Sequence, residues 1–532
     1  MNILSRISLR GAPQTSRADT RQVLGDAGGF VFEITPQARL RRFLTLGTES
    51  GTYYVCAAAL TADNAEFVLE YAREHTAELV REIVEISTSG RAPRANPALF
   101  ALAAAASVGD LEGRRAALAA LPLVARTGTH LFLFAGYAEQ FRGWGRGLQR
   151  AVADWYLDKP VDALAFQVVK YRQREGWSHR DLLRLAHPAT TEDERRRLFD
   201  WICGRTPALD GLALVEGFQR ARNAPVEQVP ELVRAYRLSW EMLPDAALNS
   251  AGVWEALLDN GLAQTALLRQ LPRLTRLGLL DPLAPRTAAI CAQLTDPDRL
   301  RTARVHPVAV LIAQRTYASG RSARGAGTWT PSAPVVDALD AAFYAAFGTV
   351  EPTGLRHLLA LDVSGSMGVQ ISGLPLSARE ASAALALVTA RTEPRHQIVG
   401  FTSAGKNWRG AKGLTQLAIS PRQRLDDAVR TVSGLPFGGT DCSLPILHAL
   451  DKGIEVDVFS IYTDSETWAG TVHPHQALAR YRREVNPRAK LVVVGMTATK
   501  FSIADPDDAG MLDVAGFDAA VPSLLADFAT AA

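Results

Sequence analysis

Two aspartates, two serines and a threonine carry the clearest chemical signal in this chain. Asp362, Ser364 and Ser366 alternate in "LDVSGSM", Thr440 follows two glycines in "PFGGTDCS", and Asp464 closes "VFSIYTD". Carboxylates and neutral hydroxyls are hard oxygen donors of the kind Mg²⁺ takes, and such a set leaves room for water or for an acidic ligand from outside. A purely structural reading is also available, in which Ser364 and Ser366 cap the following turn and Asp464 caps a helix. The complete set on one strand-and-helix pattern favours a divalent cation, most simply Mg²⁺.

The same residues do not assemble a catalytic set. No G-x-S-x-G elbow and no G-x-x-x-x-G-K-[ST] loop occurs. His473 and His475 in "TVHPHQ" lack a third partner, and a two-metal nuclease needs more carboxylates than Asp362 and Asp464 supply. A non-catalytic protein is expected.

The acidic and hydroxyl residues need strands to position them. After "VEPTG", short apolar runs ("RHLLALD", "HQIVGFTS", "VDVFSIYTD", "KLVVVGMT") alternate with amphipathic segments such as "SAREASAALALVTART" and "HQALARYRREV". That alternation predicts a parallel sheet covered on both faces, whose ligands bind beyond the carboxyl ends of the strands. From about Pro36 to Phe347 the pattern is helical instead. In "FVLEYAREHTAELVREIVEI", Phe67, Tyr71, His75, Leu79, Ile83 and Ile86 share one helix face. Breaks carry Pro, Gly or Asp, as in "SGRAPRANP" and "LDKP". No strict repeat length emerges, yet many short amphipathic helices on short loops predict a curved stack of helix pairs. At 532 residues, two or more domains are expected.

A second constellation is basic. From Lys170 to His187, "KYRQREGWSHRDLLRLAH" sets Lys170, Arg172, Arg174, Arg180 and Arg184 against Glu175 and Asp181, with Tyr171, Trp177, His179 and His187 interleaved. Cations contact phosphates, and aromatic or imidazole rings stack on unpaired bases. A solvated helix face would look similar: Leu182, Leu183 and Leu185 supply core and Ser178 a cap. The neighbouring "EQFRGWGRGLQR", expected to be a loop, adds Arg142, Arg146 and Arg150.

Bulk properties bound these readings. A net charge of +3 is nearly balanced, so any nucleic-acid face must be local, and arginine so outnumbers lysine that its abundance reflects composition as much as binding. Cys56, Cys203, Cys291 and Cys442 form no CxxC pair and are expected to be reduced. No apolar run reaches a membrane span and "MNILSRISLRGAPQTSRADT" lacks a signal-peptide core, which predicts a cytoplasmic protein without membrane partners.

The Asp-x-Ser-x-Ser pattern with a later Thr and strand-end Asp resembles the metal-ion-dependent adhesion site of von Willebrand factor A domains. "RLRRFLTLGTESGTYY", "EISTSGRAPRANPALFALA", "KYRQREGWSHRDLLRLAHP", "RVHPVAVLIAQRTYASGRSARG" and "DAAFYAAFGTVEPTG" resemble blocks of the TROVE-domain family, shared by the Ro autoantigen and its bacterial orthologues. Leu355 departs from the basic residue that usually follows "VEPTG" in that family. The resemblance implies a ring of HEAT-like helical repeats over residues 1–349, closed by a Rossmann-like α/β von Willebrand A domain over 350–532. It implies a divalent cation on Asp362, Ser364, Ser366, Thr440 and Asp464. It implies small noncoding Y RNA on the outer surface at Lys170, Arg172, Arg174, His179, Arg180 and His187, with Arg142, Arg146 and Arg150 beside them. Single-stranded ends of misfolded or immature RNAs in a central hole, and RNA quality control with exoribonucleases such as polynucleotide phosphorylase, are implied too. The competing expectation, from a different class, is a metal-dependent protein-adhesion scaffold with no primary RNA role.

Overall fold

The computed structural model describes residues 11–48, 57–174, 176–205, 208–322, 326–348, 350–371, 375–403, 413–435, 438–518 and 520–531. Strands β1 (Gln22–Leu24) and β2 (Phe30–Glu33) precede a helical half that runs from helix Pro36–Leu46 to helix Ala333–Ala345. One hairpin interrupts that half, β3 (Gln173–Arg174) with β4 (Trp177–Ser178). The α/β part follows, with β5 (His357–Asp362), β6 (His396–Phe401), β7 (Leu414–Gln416), β8 (Val458–Thr463), β9 (Lys490–Gly495), β10 (Phe501–Ser502) and β11 (Met511–Ala515).

The helices pack mainly on near neighbours in sequence, as a stack requires. Its two ends meet: His306 Nε2 lies 2.9 Å from the Arg91 carbonyl, and Arg91 Nε donates to Asp518 of the α/β part at 2.7 Å. The seam between ring start, ring end and α/β domain is thus polar and directional. The helix face expected to run unbroken from Phe67 to Ile86 belongs to two helices, Ala57–Glu74 and Thr76–Ser89, because His75 leaves helical geometry (φ −132°, ψ 39°). Tyr71, Leu79, Ile83 and Ile86 remain buried together across that break.

The large sheet has the order β11-β9-β8-β5-β6-β7, parallel except for β7. All six residues of β5 are buried. Leu359 and Leu361 face a core continuous with the helical half, whereas Leu358 and Ala360 face a second core. The alternation is the period of a strand buried on both faces, each buried Leu side chain contributing roughly 1.5–3 kcal/mol.

The N-terminal segment packs on the α/β part. β2 pairs antiparallel with β10, through Glu33 opposite Phe501 and Phe32 opposite Ser502. Val31 joins the second core of the sheet. Residues 11–34 therefore strap the α/β domain, with Val31 and Val23 on its second core and β2 paired to β10. Helix Pro36–Leu46 then returns to the ring carrying Arg42, which is fully buried. Arg42 pairs with Asp513 of β11 and donates to the Phe501 carbonyl at 3.0 Å.

Candidate functional site

β5 is a switch point in the sheet, since the chain passes from it to β6 on one side and reaches β8 on the other. Open α/β sheets bind ligands at the carboxyl ends of such strands. Asp362 ends β5 and Asp464 follows β8 at that edge. Asp362, Ser364, Ser366, Thr440 and Asp464 are all buried there. The Ser364 amide donates to Asp362 Oδ1 at 2.8 Å, Thr463 Oγ1 donates to Asp362 Oδ2 at 2.7 Å, and the Ser364 and Ser366 hydroxyls are bonded at 2.9 Å. The Thr440 carbonyl accepts the amides of Trp468 (3.1 Å) and Ala469 (3.0 Å), which stitches the Thr440 loop to the Asp464 loop.

The electrostatics favour a cation. Burial, above all, raises the Asp362 carboxyl, with bonds from Ser364 and Thr463 opposing it. Burial also pushes Asp464 up to about 7, with the nearby Asp362 charge as the second cause. Asp464 Oδ2 is buried with no hydrogen-bond partner. An orphaned carboxylate oxygen beside a second buried carboxylate and two hydroxyls fits a hard cation that keeps water ligands. Among the described residues, no group of three or more His, Cys, Asp or Glu side chains could hold a metal ion. The described cysteines, Cys203, Cys291 and Cys442, are free, and Cys56 lies outside the described residues.

Two supporting residues went unread in the sequence. Arg379 donates to the Val363 and Ser364 carbonyls at 2.9 and 2.8 Å, holding the loop that carries the serines. Glu466, pushed up to about 8 by burial, accepts the amides of Asp26 and Ala27 from the strap at 3.1 Å each.

The basic stretch folds as a hairpin followed by a helix, with Gly176 at φ +79° in the turn. Ser178 and Asp181 form a reciprocal cap on helix His179–Ala186. Beside the hairpin lies a cleft of about 800 Å³ lined by Arg172, Arg180, Arg222, Trp201, Phe218 and Gln219, among others, with no carboxylate in its lining. The Arg172 and Arg222 guanidinium groups stand 5.7 and 5.6 Å from the Phe218 ring centre. A second cleft of about 470 Å³ shares Arg172 and Arg222 and adds Lys170 and Arg174. Phe218 and Arg222 come from helix Ala213–Asn223, which no local sequence signal linked to the basic stretch.

The remaining expected contacts have different surroundings. His179 is buried, with Tyr156 Oη 2.6 Å from its Nδ1, and burial lowers it to about 3; it forms part of the lining of the larger cleft. The Lys170 ammonium is paired with Glu241 at 3.0 Å. His187 is exposed at the far end of its helix in a left-handed conformation (φ 47°), outside the lining of both clefts. The stretch expected as a loop around Arg142, Arg146 and Arg150 is two helix ends joined by Gly143–Gly145. These three arginines are exposed outside the clefts, although Trp144 packs on Trp177 of the hairpin at 5.7 Å. No helix among the described residues is long and apolar enough to cross a membrane.

Comparison with known proteins agrees with this architecture. Residues 23–208 and 235–354 match the TROVE domain, and residues 356–529 match the Ro60 vWA domain. The chain is 43% identical to the RNA-binding protein RO60 of Deinococcus radiodurans over 99% of both chains. It is 36% identical to the RNA-binding protein RO60 of Caenorhabditis elegans, over 97% of this chain and 91% of that one. The crystal structure of the Deinococcus radiodurans RO (RSR) protein superposes with a TM-score of 0.71 at 42% identity, covering 93% of this chain and 99% of that one. With the helical array, the α/β domain and these matches in agreement, the chain belongs to the TROVE family, in the form that ends in a Ro60-type von Willebrand A domain.

Proposed function

We propose that this chain is a non-catalytic RNA-binding scaffold. A small structured RNA of the Y class docks on the basic outer face, and single-stranded ends of misfolded or immature RNAs enter a central hole. The observation that carries this reading is the cleft lined by three arginines and two aromatic rings without a carboxylate, a surface suited to phosphates and unstacked bases. Two relatives named RNA-binding proteins support it. In this proposal the protein works in the cytoplasm in RNA quality control, beside an exoribonuclease such as polynucleotide phosphorylase. Residues 350–532, with the strap of 11–34, form the von Willebrand A unit, and Mg²⁺ sits on Asp362, Ser364, Ser366, Thr440 and Asp464.

Fluorescence titration with a small structured RNA and with a single strand, across a salt series, tests the proposal. Both should bind with steep salt dependence, and an Arg172→Ala, Arg180→Ala, Arg222→Ala variant should lose the structured RNA alone. Unchanged affinity in that variant would sink the assignment of the outer face.

The partnerless Asp464 Oδ2 favours a second reading, a metal-dependent adhesion module in which a partner's carboxylate completes the cation's shell. Protein purified free of nucleic acid, with a partner captured only when Mg²⁺ is present, would favour it over the RNA scaffold.

A further inference from the structure

We infer that the N-terminal strap is a working part of the cation rim, with Gln14 as a positioning residue that holds together the loops carrying Thr440 and Asp464. The inference rests on reading that rim as a cation site. Gln14 is 0% exposed. Its side-chain nitrogen donates to Asp441 Oδ1 and to the Val472 carbonyl, both at 2.8 Å. Its side-chain oxygen accepts Thr467 Oγ1 at 2.6 Å and the Gly470 amide at 3.0 Å. All four bonding positions of the carboxamide are used.

Those partners divide between the two loops. Asp441 neighbours Thr440 and also accepts the Ser443 hydroxyl at 2.6 Å. Thr467 and Gly470 lie on the loop after Asp464, and Thr467 Oγ1 also accepts the Cys442 amide at 3.1 Å. The strap backbone is seated as closely as atoms allow: a Cβ at Gly29 would stand 1.7 Å from the Thr467 carbonyl oxygen. A cation shared between two loops is held only as well as those loops are held, and outer-shell partners of metal ligands set affinity for that reason.

A staple that merely stabilises the fold would change stability and leave cation affinity alone. The test is calorimetric titration of the full chain with Mn²⁺ alone. It compares wild type, Gln14→Leu, and Val456→Ala, a buried position just before β8 at the opposite end of the sheet. Gln14→Leu should weaken the Mn²⁺ Kd about tenfold or more, whereas Val456→Ala should keep the wild-type Kd while melting earlier. Equal Kd values for wild type and Gln14→Leu would overturn the role of the strap and leave the cation site standing. Failure of the wild type to bind Mn²⁺ would overturn the cation site, and the strap's role with it. Should Gln14→Leu not fold, hydrogen exchange in the wild type decides, because coupling is reciprocal. Amides of residues 12–30 should exchange more slowly with Mn²⁺ bound, and unchanged exchange would overturn the inference.

Discussion

At the acidic rim the candidate oxygen donors are buried, most of them bonded to neighbouring backbone and hydroxyls, whereas in the basic cleft Arg172 and Arg222 stand in solvent against the Phe218 ring. The rim is therefore governed by desolvation: its carboxylates are raised, one oxygen lacks a partner, and neutralisation comes from a proton or a cation. The cleft is governed by screening, since exposed guanidinium groups keep their charge and attract phosphates through an ionic atmosphere. On the proposed readings, the rim responds to pH and metal and the cleft to salt.

Arginines on the two sides of this contrast give its sharpest test. Arg42→Ala strips a buried cation from Asp513 and should cost about 3–5 kcal/mol in urea unfolding. Arg172→Ala with Arg222→Ala, both exposed, should stay within about 0.5 kcal/mol of wild type. Comparable losses would mean that the cleft is structural.

The next expected effect is the increment Mg²⁺ would add to stability if it fills the rim as proposed, about 2.7 kcal/mol at a hundred times its Kd. Asp464 in the metal-free fold keeps its proton up to about pH 7, while the unfolded chain has released it near the ordinary carboxylate range. Metal-free stability from this group therefore falls as pH rises from about 4 to 7. A cation displaces that proton, so the Mg²⁺ increment should grow from pH 5 to 8 and vanish in Asp464→Ala. An increment flat with pH would argue that Mg²⁺ binds elsewhere.

The smallest effect sharpens the other side. If Arg172 and Arg222 each contact a phosphate, removing both should lower the log–log salt slope of RNA binding by about 0.9 per contact. A weaker affinity with an unchanged slope would assign them to stacking with Phe218 instead.

What the sequence made legible follows the same division. The strand-end aspartates could be read because an apolar run such as "HLLALD" ends where its strand leaves the core, and the alternating serines continue directly from it. Gln14 and Arg379 could not, because they reach the rim through tertiary contacts: Gln14 is 427 residues from Asp441. β1, β2 and β10 are too short for a period of two to show. In the helical half the heptad-like spacing ran across His75, since a single non-helical residue leaves the apolar pattern intact. The burial of His179 was not legible, because sequence gives residue type but not which face of a helix the neighbouring elements cover. Arg222 was missed for the converse reason: a surface patch assembles from several helices, and spacing along one of them says nothing about the next.

The strap also sets a schedule for the ribosome. Gln14 leaves the exit tunnel early, yet Val472, which it bonds, lies 458 residues later. At about 5–20 residues per second the N-terminal strands wait roughly 20 to 90 s for the strand and loops that complete them. Throughout that interval a nascent hairpin offers an open hydrogen-bonding edge. Helices of the array can stack as they emerge, but the α/β domain that joins its ends is finished only when almost the whole message has been read.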